Sequence, residues 1–390
     1  MTTSLDTEWA PRAQRLANLL TERGDLRDPA WKDAVAAVAR HVLVPAAYRQ
    51  DNTGAWKPVD VTSPEGLDLI YSPTTLVTAL ADRGTHQESV SSSTKPDLVV
   101  RMLENLDVHD GHKVLDIGTG AGYNTALLAH RLGDHHVYSV DIDDDLIEGA
   151  RYRLGAIGVR PTLVTADGAG GLPQHAPYDR IIATCSVPTV PWTWAEQLAP
   201  AGKALVDLKV ASEAGNLILL YRFPDRMEGH FITRWASFMT MRHHSDQAPK
   251  IRQPRAEQAR LRTTITPPNP WYSNRVVWLL AQLQGLPPGV QIGMQLDPDT
   301  RQPTASLVST PDGSWAAVSL TSHDGRHDVV EGGPVALWEH VERAHQVWLD
   351  HNQPDWPRLG LTVTPQRQHL WIDTPDETSW PLPTTGSEPS

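Results

Sequence analysis

The chain has 390 residues, more than one ordinary domain holds, and 40% of them are hydrophobic, enough for packed cores. A net charge of −12 without a Lys/Arg run speaks against a protein that grips a nucleic-acid backbone, so no nucleic-acid partner is expected. A single cysteine excludes an intrachain disulfide and a cysteine-based zinc site. No apolar run approaches a membrane span, and MTTSLDTEWAPR lacks a signal-peptide core, so a cytoplasmic location is the default expectation.

Trp9, Leu16, Leu19 and Leu20 keep helical spacing over residues 7 to 22, as do Trp31, Val35 and Val38 over 28 to 41. Residues 46 to 95, punctuated by Asn52, Gly54, Pro58, Pro64 and Gly66, read as irregular. At their end stands SVSSSTKPDLVVRML, 89 to 103. Thr94 followed by Asp97 fits a capping box, and Pro96 suits the first turn of a helix over 96 to 107. The run Ser91 to Thr94 is thus either the cap of that helix or a set of hydroxyls facing a reaction.

From 96 to 222 strands and helices alternate: KVLDIG, HVYSVDI, PTLVTA, DRIIATC, KALVDLKV and NLILLYR are the strands. The pattern predicts a mainly parallel sheet covered on both faces, its last two strands pairing across SEAG. Beyond about 223 the chain turns to hairpins, with PDG and TPQRQ as connections, interrupted by helices over 272 to 284 and 333 to 350. Val335, Trp338, Val341 and Trp348 form an apolar stripe that reads as core. Residues 375 to 390, rich in Pro, Thr and Ser, read as a flexible tail. The 17 histidines show no ligand pattern; His135-His136 and His243-His244 are sequence neighbours, and no metal is expected.

KVLDIGTGAGYNTALLA, 113 to 129, carries the strongest signal. An apolar strand ends in Asp116, a loop runs through Gly118, Thr119, Gly120 and Gly122, and a helix starts at Tyr123. Alternating glycines permit a tight turn and close ligand approach. A dinucleotide would favour the G-x-G-x-x-G spacing instead, with its pyrophosphate on the helix N-terminus. The acid at the strand tip suits the ammonium of S-adenosylmethionine, which has no phosphate. Asp141, followed by Ile142, ends the next strand and can accept the ribose hydroxyls. Asp167 and Gly168 follow the third strand, at the adenine edge. The three strand ends make a nucleoside-binding crest.

GHKVLDIGTGAGYNTALLAHRLG and ADGAGGLPQHAPYDRIIATCSVPTVP resemble the protein-L-isoaspartate O-methyltransferases over roughly residues 28 to 210, upstream through T-K-P-x-L-V-V-R-M-L-E-x-L and RHVLVP. SSSTKPDLVVRMLENLDVHDGHKVLDIGTG and YDRIIATCSV resemble more closely a branch with a C-terminal extension. That branch accompanies ATP-grasp ligases making ester- or amide-linked ribosomal peptides, the graspetides. The resemblance implies an α/β, Rossmann-like methyltransferase sheet over 96–223 that uses S-adenosylmethionine. The pattern along the chain sets beside it an N-terminal helical and substrate-loop region over 1–95, an added α+β domain over 224–374, expected to recognise the peptide, and the tail 375–390. The resemblance also implies a peptide or protein substrate carrying Asp or isoAsp, esterified and then collapsing to succinimide or aspartimide. In the family a hydroxyl two residues before the helix-opening proline lies beside the substrate carboxylate. Thr94 stands there, with Ser93 as second candidate. General isoaspartate repair and a non-catalytic nucleoside-binding protein are the alternatives.

Overall fold

The computed structural model describes residues 5–84, 87–243 and 259–382. The N-terminal helices follow their apolar spacing as α1 Leu5–Glu22, α2 Pro29–Ala37 and the short α3 Arg40–Leu43. Asp28 caps α2 by accepting from the Ala30 N–H, and Pro29 fills the first turn, where its missing N–H has no helical partner. Leu16, Leu20, Trp31 and Val35 are their buried face.

Residues 46 to 95 depart from the irregular stretch expected. They form β1 Ala47–Gln50, β2 Trp56–Val59, α4 Pro64–Ile70, β3 Leu76–Asp82 and β4 Gln87–Ser93, with the strands in an antiparallel sheet ordered β2-β1-β3-β4. These strands are short and mostly half-exposed, so they carry no apolar alternation for a sequence reading to find. The hydroxyl run is therefore strand: Ser91, Ser92 and Ser93 pair with Ala79, Val77 and Leu76. The next helix, α5 Pro96–Asn105, has Lys95 as its N-cap and no side-chain cap. Asp97 pairs with Lys95 at 3.2 Å instead of closing a box with Thr94.

The middle of the chain gives β5 Val114–Ile117, α6 Tyr123–Leu132, β6 Val137–Asp141, α7 Asp144–Ala156, β7 Thr162–Thr165, β8 Tyr178–Val187, α8 Trp192–Gln197, β9 Leu198–Ala211 and β10 Ala214–Arg222. β5 pairs in parallel with β6 and β8, β6 with β7, and β8 with β9, while β10 returns antiparallel to β9. β5 is buried along its whole length, as suits a central strand of a parallel sheet, and its one polar residue, Asp116, is buried with it.

The C-terminal part supplies β11 Met227–Phe231, β12 Arg260–Thr264, α9 Pro270–Ser273, α10 Arg275–Leu283, β13 Gln291–Leu296, β14 Pro303–Ser309, β15 Trp315–His323, β16 Arg326–Gly332, α11 Leu337–Asp350, β17 Leu359–Val363, β18 Gln368–Ile372 and β19 Ser379–Pro381. β12 to β16 make their own antiparallel sheet. The other four strands extend the central sheet, which runs β19-β18-β17-β11-β10-β9-β8-β5-β6-β7. The boundary expected at 223 to 224 thus falls inside one sheet. Ile181, Ile218, Trp278, Trp338 and Leu361 share one apolar core across it. Within the expected tail, Ser379–Pro381 is an edge strand on β18, and residues 383–390 lie outside the described residues. Among the described residues no helix is long and apolar enough to cross a membrane.

Truncation after Arg222 would bare the β10 edge and strip Met227, Phe231, Trp271 and Trp278 from the shared core. The fragment is expected to aggregate, and the full chain to unfold in one cooperative step when circular dichroism and tryptophan fluorescence are followed in urea. Two separate transitions, or a soluble fragment with a native spectrum, would contradict a shared core.

Candidate active site

After β5 the chain turns through Gly118, at φ +96, where an added Cβ would come within 2.9 Å of Thr184 Oγ1. A side chain at Gly118 would also fill the space a ligand needs over the strand tip. Gly122, the left-handed N-cap of α6, faces Leu154 instead and serves the packing of α6 on α7. Asp116 lies behind this loop, fully buried, and does not line the cleft. Its carboxylate accepts from Asn124 Nδ2 (2.9 Å), Thr125 Oγ1 (2.6 Å) and Ser139 Oγ (3.1 Å). It therefore ties the start of α6 and β6 to the strand tip. Burial pushes its pKa up to about 6 despite the three donors.

The cleft above the strand tips has a volume of about 1110 Å³. One wall is the crest: Gly118, Thr119, Gly120, Tyr123, Asp141, Ile142 and Gly168. Asp141 Oδ2 accepts from the Gly120 N–H at 3.0 Å and Oδ1 from the Asp143 N–H at 3.3 Å, and burial raises its pKa. Gly168 is a second close approach, since a Cβ there would sit 2.6 Å from Ile117 Cγ2. The neighbouring Asp167 is outside the lining; it accepts from the Ala169 N–H and meets His243 Nδ1 at 2.8 Å. The buried Tyr123 hydroxyl has no hydrogen-bond partner among the described residues. Cys185 also lines the cleft, but burial raises its thiol pKa, so it is no nucleophile at neutral pH.

The opposite wall is the end of β4, with Ser93 and Thr94 in it. Ser91 and Ser93 are buried: Thr78 Oγ1 donates to Ser91 Oγ at 3.1 Å, and Arg40 Nη2 donates to Ser93 Oγ at 3.2 Å. Arg40 Nη2 also donates to the Thr94 carbonyl at 3.2 Å, and Nη1 to the carbonyls of Ile70 and Ser72. The Ser92 and Thr94 side chains make no hydrogen bond among the described residues. They are the two uncommitted hydroxyls of the run.

A strap after β11, residues 235–243, makes the third wall. Thr240 bridges to Ser186 on β8. Phe238 is held from both sides by β9: its N–H donates to Asp207 Oδ2 at 2.8 Å, and its carbonyl accepts from Lys209 Nζ. Arg242 reaches Asp143 (3.5 Å) and Asp141 (3.9 Å). Sequence reasoning missed the strap, because HFITRWASFMTMRHH has no periodicity to follow. It missed Asn124 and Thr125 too, although polar residues in the first turn of a buried helix are such a signal. His244, paired with His243 in the sequence reading, lies outside the described residues.

A parallel sheet with a glycine loop at one strand tip, an acid at the next and a glycine close approach at the third defines a Rossmann-like S-adenosylmethionine-dependent methyltransferase. Residues 12–222, more than half the chain, match the family model described as protein-L-isoaspartate(D-aspartate) O-methyltransferase (PCMT), and the chain belongs to that family of carboxyl O-methyltransferases. It is 32% identical to the protein-L-isoaspartate O-methyltransferase of Hyperthermus butylicus over 52% of this chain and 78% of that protein. To the same-named protein of Aeropyrum pernix it is 35% identical over 50% of this chain and 63% of that one. A solved structure titled protein-L-isoaspartate O-methyltransferase shares the fold over 93% of this chain and all of its own, with a TM-score of 0.54 and 20% identity. The fold likeness therefore continues beyond residue 222, so a C-terminal part after the methyltransferase strands is not peculiar to this chain.

Asp207 is buried with Oδ1 unpartnered, and burial raises its pKa to about 6, above the ordinary 3.8. The folded state then holds the proton more tightly than the unfolded chain. This group's contribution is full below about pH 4 and is lost as pH rises to about 6. Asp207→Asn keeps the acceptor for Phe238 and has no such titration. The variant's unfolding free energy minus the wild type's is expected to grow by up to about 3 kcal/mol between pH 4 and 7. Urea melts across that range check it; a difference that does not move with pH would contradict a buried, proton-holding Asp207.

Proposed function

We propose that this cleft transfers the methyl group of S-adenosylmethionine to an aspartyl or isoaspartyl carboxylate of a peptide or protein. The observation that carries the reading is the contact between its two walls. A Cβ at Gly120 would lie 3.6 Å from Ser91 Oγ and 3.8 Å from the Ser92 carbonyl, so the hydroxyl strand rests directly on the glycine loop. Donor and acceptor ends thereby meet in one cleft.

The residues suit the donor. Asp141 offers carboxylate oxygens to the ribose diol, Gly168 leaves room at the adenine edge, and the Gly118–Gly120 backbone faces the amino-acid end. Asp116 acts through the loop it braces. The bound sulfonium supplies an activated methyl group. A carboxylate is already ionised at neutral pH, so the chain needs no general base. Its tasks are to exclude water and to align oxygen, methyl carbon and sulfur. The Thr94 hydroxyl, with Ser92 and Ser93 beside it, donates to the acceptor carboxylate. A neutral donor suits this step, because it stabilises only modestly a charge that disappears as the ester forms. Methanol is a better leaving group than hydroxide, so the next backbone nitrogen can close a succinimide on the product.

For the substrate we read an aspartate of a modified ribosomal peptide of the graspetide kind, on the strength of the SSSTKPDLVVRMLENLDVHDGHKVLDIGTG resemblance. General isoaspartate repair fits the same site, and the C-terminal part does not separate the two. Mass spectrometry of a cyclised precursor and of an isoaspartyl peptide, each with enzyme and S-adenosylmethionine, decides. Methyl gain followed by net loss of water on the precursor alone supports tailoring; turnover of the isoaspartyl peptide alone supports repair.

Two variants separate the walls. Asp141→Ala is expected to weaken cofactor binding about 10- to 100-fold by calorimetry, as the loss of a charged hydrogen bond requires. Thr94→Ala is expected to slow single-turnover transfer up to ~100-fold with little change in cofactor affinity, and Thr94→Ser to recover most of it. Normal turnover in both Thr94→Ala and Ser92→Ala would take the acceptor away from this run.

A further inference from the structure

The cleft carries four cationic side chains from Lys and Arg: Arg83, Lys95, Lys209 and Arg242. Three have acids. Arg83 pairs with Glu88 at 2.8 Å, Lys95 with Asp97 at 3.2 Å, and Arg242 with Asp143 at 3.5 Å. Lys209 has no carboxylate within ion-pair distance among the described residues; Asp207 and Glu213 act on its charge only from farther away. Its Nζ donates to the Phe238 carbonyl and to Ser237 Oγ at 3.3 Å, both neutral. An ammonium has three N–H donors, so one remains for a ligand.

Its position says which ligand. Across the sheet the tips run β9-β8-β5-β6-β7. The proposed cofactor contacts occupy β5, β6 and the end of β7. Lys209 stands on β9, two strands beyond the glycine loop and away from the ribose acid, at the end of the cleft left for the acceptor. A second cation on the reacting oxygen would oppose both its nucleophilicity and the nearby sulfonium, whereas a cation two strands away can hold a different anion.

Resting on the methyl-acceptor reading, we propose that Lys209 binds a second carboxylate on the substrate, so that the preferred peptide carries an acidic residue near the one that is methylated. Half-buried and with two donors fixed by the strap, the ammonium is pre-oriented and loses little freedom when that carboxylate docks. Arginine keeps the charge; glutamine removes it and retains a hydrogen-bonding head.

The test measures binding of short isoaspartyl peptides to the full-length protein with S-adenosylhomocysteine present, read by tryptophan fluorescence. Each peptide pair has Asp or Asn at one position, scanned over the two residues on either side. The wild type is expected to prefer Asp about tenfold at one position, as a charge-assisted hydrogen bond implies. Lys209→Gln should bring that ratio towards one, and Lys209→Arg should keep most of it. No acidic preference in the wild type, or an unchanged ratio in Lys209→Gln, overturns the proposal. So does an equal loss of preference in Ser237→Ala, which disturbs the strap but leaves the charge. Should Lys209→Gln lower the melting temperature through the strap, the wild-type scan with Lys209→Arg and Ser237→Ala decides. The ratio is read from binding, so absence of methyl transfer to any peptide would count against the methyl-acceptor reading and not against the second carboxylate.

Discussion

The β4 wall of the cleft depends on one buried guanidinium. Arg40 is fully buried, has no carboxylate within ion-pair distance among the described residues, and remains charged at neutral pH although burial lowers its pKa to about 10. Its Nη donors go to the carbonyls of Ile70, Ser72, Thr74 and Thr94 and to Ser93 Oγ, and its Cζ lies 5.0 Å from the centre of the Tyr123 ring. One side chain from α3 thus joins the loop after α4, the end of β4 and the start of α6. A buried cation without such acceptors would cost several kcal/mol, so each of these segments is held where it meets the Nη1 and Nη2 donors, while the buried Nε has no partner among the described residues. The hydroxyls reach the glycine loop as a consequence.

The same logic operates at the other end. Asp207 and Lys209, two residues apart on β9, face the same side of their strand and grip both backbone groups of Phe238. The strap they fix comes from beyond the last parallel strand, which makes the C-terminal part a component of the cleft as well as an extension of the sheet. The added strands are therefore structural members of the methyltransferase core. A peptide-recognition role for them rests on the strap, which reaches the cleft, more than on the separate antiparallel sheet of β12 to β16.

The sequence made the parallel core legible because its apolar strands alternate with helices. β6 lies within HVYSVDI, and Asp141 ends it at the cleft. The small N-terminal sheet was not legible, since half-exposed strands of four to seven residues broken by Pro and Gly carry no period. That failure turned β4 into an apparent helix cap. Asp116 shows a different limit: the motif marks it, but only the fold reveals that Asn124, Thr125 and Ser139 consume its oxygens. Arg40 stood within RHVLVP and gave no sign of its role, because a buried cation whose Nη donors meet carbonyls 30 to 54 residues away leaves no local pattern.

A crystal structure with S-adenosylhomocysteine and an isoaspartyl peptide tests the central claim most directly, namely that β4 and the glycine loop bring acceptor and donor together. The account requires the ribose on Asp141, the thioether pointing towards β4, and the acceptor carboxylate within hydrogen-bond distance of Thr94 or Ser92. A carboxylate seated away from the β4 hydroxyls, or a ribose held elsewhere than at the tip of β6, would contradict it.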